Sequence, residues 1–368
     1  MNHPAKEDPD GQEELRALID RIVPPTRADR GSVTRRLDNL TKPPGSLGRL
    51  EELALRLARI HGDPPPPLGG GVVFVLASDH GVAERGVSAY PSAVTRQMCL
   101  NLGSGGAAIN AVAGAVKARV IVADFGVDGP LPTSSGVLDR KIRCGSRDLV
   151  VEPALTRSET ARAILTGAAL VEEEAGGEGM IGMGEMGIGN TTAATVLTAA
   201  LTGRPVQEVI GPGTGVTGRA LDRKRELVER ALHRIEGVRD PLELLREVGG
   251  FEIAGLVGVV LGAARSGLAV VTDGFIATAA ALAAVRIRPP AREYLFPSHR
   301  SSEPGHDVLL EALGLEPLFD LQLRLGEGTG AALAFPVLQA SAAILRGMAT
   351  FDSAGVSRPP LVVPAGSK

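Results

Sequence analysis

Tryptophan is absent from the chain's 368 residues, and only two tyrosines and eight phenylalanines are present, so aromatic residues make up 3% of the whole. A surface that stacks nucleic-acid bases in succession needs more rings than this. Excess positive charge is missing too: 39 Lys and Arg face 42 Asp and Glu, giving a formal net charge of −3 and an isoelectric point near 6.1. Without a basic footprint, nucleic acid is excluded as an expected partner. Cysteine is as scarce. Cys99 and Cys144 make neither a disulfide framework nor a metal-ligand spacing, which fits a reducing cytosol and leaves packing as their expected role. His80 has no second His or Cys at ligand spacing, so no metal and no cofactor is called for. Long hydrophobic runs are missing as well. The N-terminus "MNHPAKEDPDGQEE" is polar and acidic where an export signal needs an apolar stretch. The most apolar run, 268–287, contains Asp273 and Arg286 and a glycine break, and reads as a buried strand and helix, not a membrane span. The expectation is a cytoplasmic protein with no membrane partner.

What the chain does contain is 44% apolar residues and 47 glycines, enough for a large core and many tight turns. Residues 12–22 and 47–60 predict amphipathic helices, the second from Leu47, Leu50, Leu53, Leu57 and Ile60 at helical spacing, with "TKPPGSLG" as its start signal. The proline run "DPPPPLGGG" then acts as a stiff connector. Beyond it, short β-rich runs appear at "VVFVLAS", "ARVIVADFGV", "MIGMGE", "LAVVTDGF" and "EYLFPSH", with small-residue helices such as 190–201 and 275–285 between them. Continuous apolar strands alternating with helices predict an α/β fold, a Rossmann-like parallel sheet flanked by helices. Ligands of such sheets lie beyond the carboxyl ends of the strands, which makes Asp79, His80, Glu185, Asp273, Ser298 and His299 candidates.

Four local patterns carry chemistry. "GMGEMG", Gly182 to Gly187, follows a strand and precedes a helix, with Glu208 about 20 residues on, as in a dinucleotide fingerprint. The turn continues into "IGNTT", however, and Gly189, Asn190, Thr191 and Thr192 then combine a flexible backbone with the unpaired N–H groups of a helix start, an anion site. An ordinary N-cap with turn glycines fits the same letters. "GPGTGVTG", 211–218, is a second glycine loop, in which Pro212 cannot donate and leaves Gly213 and Gly215 as the donors. The helix after it carries Lys224, which by itself reads as one more charge on a solvated face. "PSHRSSEPGH", 297–306, is dense in hydroxyl and imidazole groups suited to phosphate or sugar, although a solvated turn has the same composition. Lastly, Glu327 stands between two glycines in "RLGEGTGAALAFPVLQ"; alone it would pass for an exposed turn residue.

Taken in order, "TKPPGSLGRLE", "SDHGVAERGVSAYPSAVTRQM", "GEMGIGNTT", "VGGFEIAGLVG", "VVTDGFIATAAALAA", "PSHRSSEPGH" and "RLGEGTGAALAFPVLQAS" cover nearly the whole chain. Together they resemble the nicotinate-nucleotide:dimethylbenzimidazole phosphoribosyltransferase family. The resemblance implies a homodimer with a Rossmann-like α/β domain over 69–324 and a small helical domain made of 1–63 and 325–368. It implies transfer of the phosphoribosyl group of nicotinate mononucleotide to 5,6-dimethylbenzimidazole, on the way to cobalamin. By the same carry-over Glu327 is the general base and Glu185 the second site carboxylate. Gly187, Gly189, Asn190, Thr191, Gly213, Gly215, Lys224, Asp273, Ser298, His299, Ser301 and Ser302 hold phosphate and ribose, and Asp79, His80, Tyr90, Met98 and Leu325 line the base pocket. "NTTAAT" lacks the proline expected after the threonines. Two other classes fit parts of the pattern: an NAD-type oxidoreductase, resting on "GMGEMG", and a non-catalytic nucleotide sensor. Paired carboxylates argue against the sensor, since a site that only binds an anionic nucleotide gains nothing from them. A transferase using phosphoribosyl pyrophosphate would need paired acids at a strand end, whereas "VIVADFG" and "VVTDGF" each offer a single Asp.

Overall fold

The computed structural model describes residues 9–358. Six strands form one parallel sheet: β1 (Val72–Ser78), β2 (Arg119–Gly126), β3 (Val137–Asp139), β4 (Met180–Met186), β5 (Ala269–Thr272) and β6 (Leu295–Pro297), in the order β3-β2-β1-β4-β5-β6. β1 is buried at every residue, as are β5 and β6, which is why they read as unbroken apolar runs. The winding direction reverses between β1 and β4, whose register runs from Val72↔Ile181 to Ala77↔Met186. That reversal opens a crevice at the carboxyl ends of these two strands. Between β1 and β2 the register slips at Ala77/Ser78, so that Ser78 pairs with Gly126. β3 was not anticipated; it is a three-residue edge strand, too short to show a pattern.

Helices Arg157–Glu174 and Phe251–Ser266 pack through glycine faces. The first begins with a capping box between Thr156 and Glu159, and the second is buried over almost its whole length. A Cβ on Gly258 would fall 1.9 Å from Ile164 O, and one on Gly167 would fall 2.0 Å from Gly255 O. Helix Phe275–Ile287 packs on Asn190–Thr202 and on Gly305–Leu313. At 13 residues it is too short to cross a bilayer. The first described helix, Pro9–Asp20, is followed by Ile22 and Val23, whose carbonyls accept from Arg288 Nε (2.9 Å) and Tyr294 Oη (2.9 Å).

By packing, the chain divides into two units, one comprising residues up to Pro25 together with Gly69–Pro336, the other Thr26–Leu68 with Val337 onward. The second is helical and draws on both ends of the sequence. Its core joins Val33 and Leu37 of helix Arg30–Asp38 to Ala54 and Ala58 of Arg49–His61 and to Leu345. Arg36 Nη2 donates to Leu345 O at 2.7 Å. Helix Arg30–Asp38, mostly polar and begun by an Asp29 cap, was not anticipated from periodicity.

The glycine packing gives a paired test. Gly258→Ala is expected to destabilise the fold by about 1–3 kcal/mol through overpacking against backbone, whereas exposed helical Gly114, with nothing within 4 Å of its Cβ position, should gain about 0.5–1 kcal/mol on Gly114→Ala. Urea unfolding of both variants checks the contrast.

Candidate functional site

A cavity of about 300 Å³ opens at the carboxyl ends of β4, β5 and β6, lined among others by Tyr90, Glu185, Asn190, Thr191, His299 and Leu325. The carboxyl end of β4 supplies one wall through Glu185 and Met186, and the helix start after β4 supplies another. Asn190 begins helix Asn190–Thr202 behind Gly189, whose φ of 100° is a glycine conformation. No side chain caps this end; the Asn190 and Thr192 N–H groups donate to Gly187 O (3.1 Å) and Gly189 O (3.0 Å), and the positive end of the helix dipole lies at the cavity wall. Gly187 is required by contact, since a Cβ there would lie 2.4 Å from Ser78 O.

Three buried carboxylates meet here. Glu185, at the end of β4, accepts from Asn190 Nδ2 at 2.5 Å. Burial pushes its carboxyl up to about 8, against the Asn190 hydrogen bond and with further upward pressure from Asp273, Glu252 and Glu327. Asp273, just past β5, has both oxygens engaged by backbone: Oδ2 accepts from Gly328 N (3.0 Å) and Oδ1 from Gly330 N (2.7 Å) and Ala331 N (3.3 Å). Burial still raises it to about 7 in spite of these bonds. Asp273 is therefore the anchor of helix Thr329–Gly347 and holds the segment bearing Glu327; it does not face the cavity. Glu327 has φ 62°, between Gly326 and Gly328, both at φ 84°. Its backbone lies on β4: a Cβ on Gly184 would fall 2.6 Å from Glu327 O, and one on Gly326 would fall 2.3 Å from Glu185 Oε1. Glu327 is 4% exposed, and burial raises its carboxyl above the ordinary range, opposed by a hydrogen bond from Ile109 N to Oε2 at 3.4 Å. Glu185 and Glu327 thus stand on either side of Gly326, with Glu185 facing the cavity and Glu327 facing the start of helix Ala108–Val116.

Behind Thr191 and the 211–213 loop, off the cavity lining, Lys224 is wholly buried, and its Nζ donates to Gly211 O (3.0 Å) and Thr191 Oγ1 (3.3 Å). This is no solvated face, and burial lowers the ammonium to about 8. The N–H groups of the glycine loop are used internally: Gly213 N donates to Glu303 Oε1 at 2.9 Å and Gly215 N to Pro212 O at 3.0 Å. Ser301 lines the cavity, and its N–H donates to His306 Nδ1 at 2.8 Å, so His306 carries its proton on Nε2 and donates to Thr278 Oγ1 at 3.0 Å. Burial keeps both histidines of this segment neutral, His299 at about 4 and His306 at about 3.

Of the other candidate residues, Ser298, Ser302, Asp79, His80 and Met98 sit off the cavity lining. Ser298 is buried against His299 Nδ1 at 3.1 Å, and Ser302 is exposed, with its N–H donating to Leu323 O at 3.1 Å. Asp79 accepts from Asp128 N at 2.8 Å, and His80 Nε2 lies 2.6 Å from Glu252 Oε1 with both side chains buried. Met98 is half-buried on helix Ala93–Gly103. Tyr90 and Leu325, exposed at 56% and 57%, flank the mouth. Glu303 and Glu252 were not foreseen, although a carboxylate amid glycines and apolar residues, as in "GGFEIAG", was a signal of burial. Thr214, also unforeseen, ties two loops together: its Oγ1 accepts from Ala89 N and lies 3.0 Å from Ser88 Oγ.

An uncapped helix start, a glycine loop over a buried lysine and two adjacent carboxylates at the switch point define a site for an anionic nucleotide on which a cationic centre develops, the class to which ribosyl transfer belongs. Known proteins of similar sequence and structure point the same way. Residues 22–356 match the family model described as phosphoribosyltransferase. The chain is 53% identical over 324 residues to a nicotinate-nucleotide–dimethylbenzimidazole phosphoribosyltransferase from Thermus thermophilus, covering 88% of this chain and 96% of the relative. It is 48% identical over 345 residues to one from Geobacter sp. strain M21, covering 93% and 99%. A crystal structure of CobT from Thermus thermophilus superposes with a TM-score of 0.87 at 52% identity, covering 90% of this chain and 99% of that one. The chain belongs to the nicotinate-nucleotide–dimethylbenzimidazole phosphoribosyltransferase family.

The raised Glu185 carboxyl has a stability consequence. Between its ordinary value of 4.5 and about 8 the folded state holds a proton that the unfolded state has lost, so stability falls as pH rises through that window. Urea unfolding at about pH 5 and about pH 8 should show a smaller decline for Glu185→Gln than for the parent protein; parallel declines would mean that Glu185 ionises normally.

Proposed function

We propose that this chain transfers the 5-phosphoribosyl group of nicotinate mononucleotide to 5,6-dimethylbenzimidazole, releasing nicotinate, with Glu327 as general base. The observation that carries the reading is the pair of buried carboxylates flanking Gly326 beside an uncapped helix start. One benzimidazole nitrogen attacks the anomeric carbon from the face opposite the pyridinium, and that carbon inverts. The C–N bond to nicotinate breaks with its electron pair returning to the pyridine nitrogen, which leaves neutral and needs no acid. The attacking ring becomes cationic, and the proton on its other nitrogen passes to the Glu327 carboxylate. Glu185 faces the ribose: the arrival of positive charge favours its ionised form, which then stabilises the charge developing as the bond loosens. The helix start at Asn190 and Thr191, with Lys224 behind it, holds the phosphate. Tyr90 and Leu325 at the mouth offer flat and apolar contacts for the base. The finer placement as a homodimer is supported by the exposed apolar side chain Leu321.

Glu327→Gln is expected to retain mononucleotide binding and to lose turnover by roughly 10²–10⁴-fold, as for a lost general base. Because the raised carboxyl must be ionised to act, the parent rate should fall as pH drops through its value, and the variant should lose that limb. Near-normal turnover would remove Glu327 from the chemistry. Lys224→Gln should weaken the mononucleotide by roughly 1.5–3 kcal/mol while leaving benzimidazole affinity unchanged, as titration calorimetry with each ligand would show.

A further inference from the structure

Glu303 is a carboxylate on the wall of an anion pocket, where simple electrostatics would not put one. It is 6% exposed and lines the cavity. Its Oε1 accepts the Gly213 N–H at 2.9 Å. Its Oε2 is buried with no hydrogen-bond partner among the described residues, pressed so close to Gly211 that a Cβ there would stand 1.9 Å away. Lys224 takes hold of the same short segment from the other sign of charge, donating to Gly211 O at 3.0 Å. Gly213 is held at φ 56° between them, its Cβ position 2.7 Å from Thr191 Oγ1 and 3.3 Å from Lys224 Nζ. A glycine loop that cannot grip itself through side chains is thus clamped at a carbonyl by a cation and at an N–H by an anion.

We infer that Glu303 is a positioning residue of the phosphate site: it fixes the 211–213 loop and, as the buried carboxylate on the same loop that Lys224 holds, keeps that ammonium charged. A lysine with no exposed surface ionises only if a counter-charge offsets its lost hydration. The charged groups around the pair are few. Arg324 Nη1 donates to Gly213 O at 3.3 Å and acts on Glu303; His299 and His306, on the neighbouring segment, are neutral. The lysine's lowered value of about 8 already includes upward pressure from Glu303, so removing that carboxylate drives it further down, into the range where the enzyme must bind its nucleotide. This inference rests on the proposed phosphate site, and the test separates the two.

The variant is Glu303→Gln, which keeps an acceptor for the Gly213 N–H and removes only the charge. Two quantities are measured from about pH 6 to about pH 9: the Lys224 titration, by NMR of the lysine side chain, and the affinity for nicotinate mononucleotide. The expected result is a downward shift of the lysine titration by at least about one pH unit, and a matching loss of affinity of about tenfold above neutrality that largely recovers near pH 6. Benzimidazole affinity stays unchanged. Adding Lys224→Arg to the variant, a cation that does not deprotonate, should flatten the pH dependence. An unmoved lysine titration, or an affinity loss equal at every pH, overturns the inference and leaves Glu303 a packing residue. A shifted lysine titration with mononucleotide affinity unaltered at every pH upholds the charge pairing and overturns the phosphate site instead.

Discussion

The site depends on one buried carboxylate whose oxygens are taken up by backbone. Asp273 follows β5, and its two oxygens gather the N–H groups of Gly328, Gly330 and Ala331, welding the last helical segment of the α/β unit to the carboxyl end of the sheet. Backbone N–H groups are obligatory donors, and a helix start leaves several of them orphaned. By satisfying three at once, Asp273 determines where residue 327 lies, and the close approach of Glu327 to Gly184 completes the constraint. The positions of Glu185 and Glu327 then follow from two neighbouring strands, β4 and β5, and not from a long loop. Groups held this way need little reorganisation when charge develops.

Electrostatically the two sides of the site are opposites. Asp273, Glu252 and Glu327 lie close enough to Glu185 to add to the effect of burial, and the Glu185 carboxyl rises because burial and mutual repulsion disfavour its ionisation. Away from them Lys224, held by Gly211 O and Thr191 Oγ1, carries the opposite sign beside the 211–213 loop. The proposed substrate, with a cationic ring at one end of a ribose and a phosphate at the other, matches that polarity.

The sheet was legible because its strands are buried on both faces and read as apolar runs; the five runs marked in the sequence are five of the six strands, and only the edge strand Val137–Asp139 escaped. Glu185, Asn190 and Thr191 could be placed at the cavity because a strand end followed by a glycine turn and a helix start has one geometry. Lys224 could not be placed by pattern, since its burial depends on Gly211, Thr191 and Glu303, which lie 13, 33 and 79 positions away in the chain. For the same reason Asp273 looked like a ligand contact: sequence puts it past a strand end, but only the fold brings three backbone N–H groups onto it. Ser302 followed Ser301 in the sequence, yet alternation of the backbone turns one inward and the other to solvent.

Glu327 sits at φ 62°, in a left-handed conformation that costs an L-residue roughly 1–2 kcal/mol relative to glycine. Its carboxylate is also buried, where ionisation is disfavoured. Both penalties would vanish if glycine took its place, extending the run of Gly326 and Gly328. With Glu327 as the proposed general base, the protein would then be expected to become more stable and to stop working. At this position a screen for heat resistance and a screen for turnover would select opposite residues, so improving the one by random substitution would erode the other, starting at residue 327.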